Sequence, residues 1–272
     1  MEVDSGEQYP VFLLAADSRI SRGSATLTDI APKILSINMV SADKNQRRRF
    51  FQQYGFAYAG SVTSAFLVHS TAQYLTTNLF SNHDAPPPTV SDVARIYSDI
   101  AHLHLSEYGA RLAPQEAKAV LFDCIVCGYE VSTGDLRAFH IQPELEDELR
   151  IKVAEIGESN SIFRAGAGSE EFDRVLSDLL KHDKDVDCRS VIVEMIGKRA
   201  HRTVGGFVQV AQADRHGFSQ LAHLAAQDTG DAIASYLGVD LAVIHRPEGY
   251  KFAQSGWTSI DPETNQTIRT KI

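Results

Sequence analysis

Apolar positions along the chain alternate between runs of strand length and stripes of helical period. Val11–Ala16 is an unbroken apolar run, and another apolar run, Ile34–Ile37, opens the strand-length segment Ile34–Val40. Tyr54–Ala59, Y-G-F-A-Y-A, is strand-like and runs into Gly60. The period then changes. Ala65, Val68, Ala72, Leu75 and Leu79 recur at three- and four-residue steps, which predicts an amphipathic helix of about 18 residues, closed by N-H-D-A-P-P-P. A second helix starts near Val90 with Ser91 as its cap, and carries Val93, Ile96, Ile100 and Leu103 on one face up to Gly109.

Strands are expected again at Val120–Tyr129 and Leu136–Ile141, joined by a turn around Ser132–Asp135. The acidic P-E-L-E-D-E-L-R after them reads as a solvated insertion. Ile162–Ala165 reads as a short strand leading into G-A-G-S-E-E-F. There Gly168 supplies a tight turn, and Ser169 with Glu170 and Glu171 suits a helix start. Phe172, Val175, Leu176 and Leu179 would be that helix's buried face. A further helix spans about 186–201, followed by T-V-G-G, alternating Phe207, Val208 and Val210, and a hairpin at R-H-G-F. Val239–His245 and Tyr250–Ala253 are the closing strands.

Strands thus alternate with pairs of helices. Single crossover helices would suit a parallel sheet; pairs suit antiparallel sheets with helices outside them, an α+β class. Neither an internal repeat nor a low-complexity linker divides residues 1–272, so one domain is expected.

Composition narrows the function. The formal charge of −9 argues against nucleic-acid or anionic-membrane partners. Three cysteines suit a reducing compartment better than a disulfide framework. Cys124 and Cys127 have C-x-x-C spacing, yet on a strand positions three apart face opposite sides, so small buried hydrophobes are expected there. His102 and His104 are two apart and share no helix face, which makes a poor metal pair. No cofactor or metal is expected. Without a basic and apolar leader after Met1 or a long apolar run, a cytoplasmic location with no membrane span is the expectation.

The chemistry concentrates near the start. At the end of Val11–Ala16, Asp17 and Arg19 leave the apolar register, and Lys33 stands between Pro32 and the next apolar run. An acid and an amine at the ends of two buried strands can meet in a cleft suited to proton transfer, or form an ordinary edge ion pair. The basic stretch S-A-D-K-N-Q-R-R-R reads as a solvated loop.

L-A-A-D-S-R followed by P-K-I, then A-Y-A-G before a long helix, resembles the proteasome-type branch of the N-terminal-nucleophile hydrolases, in the manner of a bacterial beta subunit. I-V-C-G-Y-E…L-R-A-F-H-I, G-A-G-S and V-G-G fall in the same order as that family's central hairpin and glycine turns. The resemblance implies a four-layer αββα sandwich of two antiparallel sheets, assembled as a homo-oligomeric ring with an inner chamber. It also implies a threonine-type peptide hydrolase acting on peptide or protein substrates, with an ATP-dependent unfoldase as a candidate partner. In such a site the mature N-terminal residue is the nucleophile and its α-amine the base. Asp17 and Lys33 would support it, Gly60 would offer its backbone N–H to the oxyanion, and Ser169 or the Gly166–Gly168 turn would lie near the α-amine.

The chain also departs from that pattern. It begins Met1-Glu2-Val3, where the family needs Thr, Ser or Cys. Ala167 stands where the family commonly has Ser, and His201 where it commonly has Asp. Either the given start lies inside a longer reading frame, or the subunit is an inactive assembly member. A relative that cleaves small amides is a further alternative.

Overall fold

The computed structural model describes residues 10–23, 25–42, 47–80, 86–146, 148–157, 161–183, 185–221, 223–226, 232–240, 244–245, 258–260 and 267–269. It is a mixed α+β structure with several sheets. The largest, of six strands, runs in the order β6 (Leu79–Phe80), β4 (Ile34–Ala42), β5 (Arg48–Gly60), β7 (Phe122–Glu130), β8 (Asp135–Leu145), β9 (Leu149–Ile156). All its pairings are antiparallel except β4 with the short β6. A three-stranded antiparallel sheet places β10 (Val208–Asp214) between β1 (Phe12–Asp17) and β11 (Gly217–Leu221). Small ribbons add β2 (Ile20–Arg22) with β3 (Ala25–Thr28), and β12 (His223–Ala226) with β13 (Ala232–Tyr236) and β14 (Val239–Asp240).

Alternation along each strand sends one set of side chains to each sheet face. On one face of the six-stranded sheet, Met39, Tyr54, Phe56 and Phe122 meet Val68 and Ala72 of α1 (Val62–Thr76) and Val93 and Tyr97 of α2 (Val90–Gly109). On the other face, Ile34, Cys127 and Ala138 meet Ala211, Ala213 and Phe218 of the smaller sheet. Close approach there depends on Gly55: a Cβ at that position would lie 2.3 Å from the Phe218 ring. Beyond the short α3 (Pro114–Ala119), a third cluster joins α4 (Ser169–Leu179) and α5 (Cys188–Gly197) through Phe172, Val175, Val191 and Met195. Ile192 and Ile196 of α5 pack on Val208 and Val210 of β10.

Several expectations need correction. The first helix stops at Thr76, where Thr77 caps it, and Leu79 joins β6. Thr89, not Ser91, caps α2, in a reciprocal capping box with Asp92. Ile162–Ala165 forms no strand. The acidic segment is not an insertion: Pro143–Leu145 and Leu149–Arg150 pair in the β8–β9 hairpin, whose second strand is an edge with exposed charges. The basic stretch is likewise only partly loop, since Ser41–Ala42 end β4 and Arg48 opens β5. The helix expected over 186–201 is Cys188–Gly197, capped by Asp187 through Ser190 N at 2.7 Å. Of Val239–His245, Val239–Asp240 is strand and Ile244–His245 is not, while residues 241–243 and Tyr250–Ala253 lie outside the described residues. Among the described residues no helix is long and apolar enough to cross a membrane.

Candidate functional site

Asp17 ends β1 opposite Val208, and the next residues turn sharply over the Val204–Phe207 segment. The Asp17 carboxylate is held by three donors. Oδ1 accepts from Lys33 Nζ at 2.7 Å, and Oδ2 accepts from Arg19 N at 3.0 Å and Gly205 N at 3.1 Å. Side-chain exposure is 11% for Asp17 and 16% for Lys33, so water screens the pair little. An edge ion pair would be far more exposed.

Arg19 turns away from this pair. Its guanidinium grips Asp29 through Nε–Oδ1 at 2.6 Å and Nη2–Oδ2 at 3.2 Å, and Nη1 donates to the carbonyls of Arg202 and Val204. The two glycines of V-G-G permit this crossing. A Cβ on Gly205 would sit 2.3 Å from Arg19 Cζ, and one on Gly206 (φ +75°) 2.4 Å from both Asp29 O and Ser18 Oγ. Ser18, fully buried, donates its hydroxyl to Asp29 O and accepts from Phe207 N at 2.7 Å.

The backbone carrying Lys33 is clamped from β10 and β5. Gln209 Oε1 accepts from Lys33 N at 2.8 Å and Ile34 N at 3.3 Å, while its Nε2 donates to Ala31 O at 2.7 Å. Tyr58 N donates to Lys33 O, and the Tyr58 hydroxyl donates to Pro32 O at 2.9 Å. Burial, with a smaller contribution from Asp17, pushes the Tyr58 phenol well above its ordinary range.

Two residues past Tyr58, Gly60 ends β5 at φ +99°, paired with Phe122. The Gly166–Gly168 turn approaches the same end: a Cβ on Gly166 would lie 3.1 Å from Ala59 Cβ. Its other side faces the loop that holds Asp17, since a Cβ on Gly168 would lie 3.1 Å from Val204 and 3.7 Å from His201. Ser169 donates its hydroxyl to Gly166 O at 3.1 Å, within its own turn and not toward Asp17 or Lys33. His201 Nδ1 pairs with Thr203 Oγ1 at 2.8 Å. The structure therefore joins Asp17 to Lys33 directly and sets Gly60 and the glycine turn at the same strand ends.

Sequence reasoning missed Gln209, Asp29, Tyr58 and Ser18. Gln209 left a signal, a single amide inside the apolar V-Q-V-A, where a buried polar side chain needs partners. The C-x-x-C residues split as strand geometry requires, Cys124 toward the helices and Cys127 between the sheets. Burial pushes the Cys127 thiol up to about 12 and Cys124 higher still, so both are inert. Among the described residues no group of three or more His, Cys, Asp and Glu could hold a metal ion.

No protein-family model matches the chain, and neither does any curated protein. Solved structures do. Anbu (ancestral beta-subunit) from Yersinia bercovieri is 16% identical over 76% of this chain and 81% of that one, with a TM-score of 0.44. The helical assembly of the Anbu complex from Pseudomonas aeruginosa is 16% identical over 84% and 82%, with a TM-score of 0.40. Anbu from Hyphomicrobium sp. strain MC1 is 15% identical over 83% and 82%, with a TM-score of 0.39. These matches correct the resemblance to the bacterial proteasome beta-subunit branch, because the similar structures are of the distinct Anbu family. The motifs behind that resemblance are strand ends and glycine turns. Such features are too general to single out a family. So distant a likeness carries no chemistry, and the functional reading rests on the geometry of the site.

Proposed function

We propose that Asp17 and Lys33 are the supporting half of an amide-hydrolysing site of the N-terminal-nucleophile kind, acting on peptides, on a subunit that assembles with copies of itself. The observation that carries this reading is the saturation of Asp17. With Oδ2 already taken by two backbone N–H groups, the carboxylate fixes Lys33 in place through Oδ1 alone. An ammonium has three N–H donors, so two remain for an incoming oxygen. A polar clamp of Gln209 and Tyr58 holds the backbone from which Lys33 projects.

In this mechanism a terminal α-amine takes the proton of its own residue's hydroxyl, and that oxygen attacks the substrate carbonyl. The positive charge of Lys33 favours the developing alkoxide electrostatically, and Asp17 keeps that charge oriented. Gly60 offers its N–H to the tetrahedral oxyanion, which a preorganised donor stabilises more than water does. The amine leaves with the proton, and water then cleaves the acyl-enzyme ester by the same route in reverse. The Gly166–Gly168 turn borders the place of the α-amine. Clusters on both faces of the six-stranded sheet, and a third under α5, support a four-layer order of helices, sheet, sheet and helices.

One observation favours a second reading, a non-catalytic assembly subunit with a structural ion pair. The described hydroxyls of Ser18 and Ser169 beside the site are already engaged. The two readings part in one assay. N-capped fluorogenic peptides and small acyl amides are offered to the intact chain and to Lys33→Ala, with the N-terminal residue identified by mass spectrometry. The catalytic reading expects peptide turnover that falls about 100-fold or more in Lys33→Ala. Turnover that Lys33→Ala leaves intact, or no turnover of any substrate, rejects it.

A further inference from the structure

We propose that Asp123 and His140, beside the Gly60 strand end, form a recognition site for a basic side chain of the substrate, an ammonium or guanidinium group. The proposal rests on the amide-hydrolase reading of Asp17 and Lys33.

Register places the two residues together. Asp123 on β7 lies directly opposite Ala59 on β5, one residue before Gly60. His140 on β8 lies opposite Ile125, so Asp123 and His140 are diagonal neighbours on one sheet face, a separation long side chains bridge. That face is the one away from α1 and α2: Phe122 and Cys124 pack toward the helices, while Ile125 packs between the sheets. The Gly166 turn touches Ala59 from the same side, and the segment leading into that turn lays Phe163 on the His140 ring, with centroids 4.8 Å apart. Asp123 thus sits between the oxyanion end of β5 and an aromatic wall.

Its charge is unmet. Among the described residues no hydrogen bond or ion pair reaches the Asp123 carboxylate, and Lys33 is committed to Asp17. Among the described residues, His140 is the titratable group that acts on it. Burial holds that imidazole below its ordinary value, so at neutral pH it does not neutralise the acid. His140 Nε2 is itself buried without a hydrogen-bond partner. Burial raises the Asp123 carboxyl from its ordinary value, and His140 offsets that only in part. A half-buried anion, an unpartnered ring nitrogen and a 40% exposed phenyl ring suit a cation on an alkyl stem. An apolar or acidic side chain would leave the carboxylate desolvated and unpaired.

The test compares fluorogenic substrates with arginine, lysine or norleucine on the acyl side of the scissile bond, using the intact chain and its isosteric Asp123→Asn variant. The ratio of basic to norleucine kcat/KM is read on one preparation, so the folded fraction cancels. A ratio of at least tenfold that collapses by tenfold or more in Asp123→Asn supports the site. Turnover with no basic preference, or a preference that Asp123→Asn leaves unchanged, overturns it while the Asp17–Lys33 reading stands. If no substrate turns over, the catalytic reading fails, and calorimetry with N-acetyl-arginine amide against N-acetyl-norleucine amide decides the site separately. Selective binding of the arginine amide that Asp123→Asn abolishes supports it; absence of such binding overturns it.

Discussion

The two faces of the six-stranded sheet are held by different physics. Toward α1 and α2 the filling is large and apolar: Tyr54, Phe56, Tyr97 and Phe122 are almost fully buried, and Phe56 stacks near Tyr97 with centroids 5.1 Å apart. Polar atoms there are few and pair locally: the Tyr54 hydroxyl donates to Pro88 O, and the Tyr97 hydroxyl pairs with His69 Nδ1. Toward the smaller sheet the filling is thinner, with Cys127, Ala138, Ala211 and Ala213 around Ile34 and Phe218. Thin filling lets two sheets approach closely, and their strand ends then meet with backbone groups that water cannot reach. Side chains must satisfy those groups. Gln209, Ser18 and Asp17 do so, and the candidate site is built where they converge. A thick apolar layer stabilises; a thin one positions.

Four measurements can break or sharpen this contrast. The largest effect is expected on the helix side. Tyr97→Ala should cost about 3–5 kcal/mol in urea unfolding, through lost burial and a cavity the helices cannot close. A cost below about 1 kcal/mol would show that this layer is loosely packed.

Gln209→Leu keeps the volume but strands Lys33 N, Ile34 N and Ala31 O in a buried place. The expected cost is about 2–4 kcal/mol, because unmet buried groups forfeit their desolvation. Hydrogen exchange should show protection lost at amides 33 and 34 while the amides of α1 and α2 hold theirs. Uniform loss across both faces would contradict a local clamp.

Lys33→Met leaves the Asp17 carboxylate with only its two backbone donors. It should cost about 1–3 kcal/mol, and Asp17→Asn on top of it should add less than Asp17→Asn alone, since the partners are coupled. Additive costs would mean that the two groups do not act as a pair.

The smallest effect is pH-dependent and returns to the helix side. His69 stacks on Phe56 and pairs with the Tyr97 hydroxyl at 2.9 Å, and burial pushes its pKa down to about 4. An unfolded histidine titrates near ~6.5. Between those values the unfolded chain binds the extra proton, so stability is whole above pH 6.5 and falls as pH drops toward 4. His69→Gln should remove about 1–2 kcal/mol of the difference between pH 7.5 and pH 5. An identical slope in the variant would place the acid sensitivity elsewhere.

The legible parts of this protein were those written in local period. Three-and-four spacing located α2 and the start of α1, and apolar runs located β1 and β4, because amphipathic faces repeat within a few residues. The segment Leu149–Ile156 carried an alternating L-R-I-K-V too, but the acids before it masked an edge strand whose pairing only β8 supplies. For the site, the chain itself set Asp17 and Lys33 at the ends of apolar runs and put glycines where backbones cross. Which groups they meet was decided in three dimensions. Gln209 reaches a backbone 178 residues away at Ala31, and Gly205 N reaches Asp17 across 188. Such pairings depend on strand register and on the spacing of two sheets, and a one-residue slip would turn each of these side chains to the opposite face.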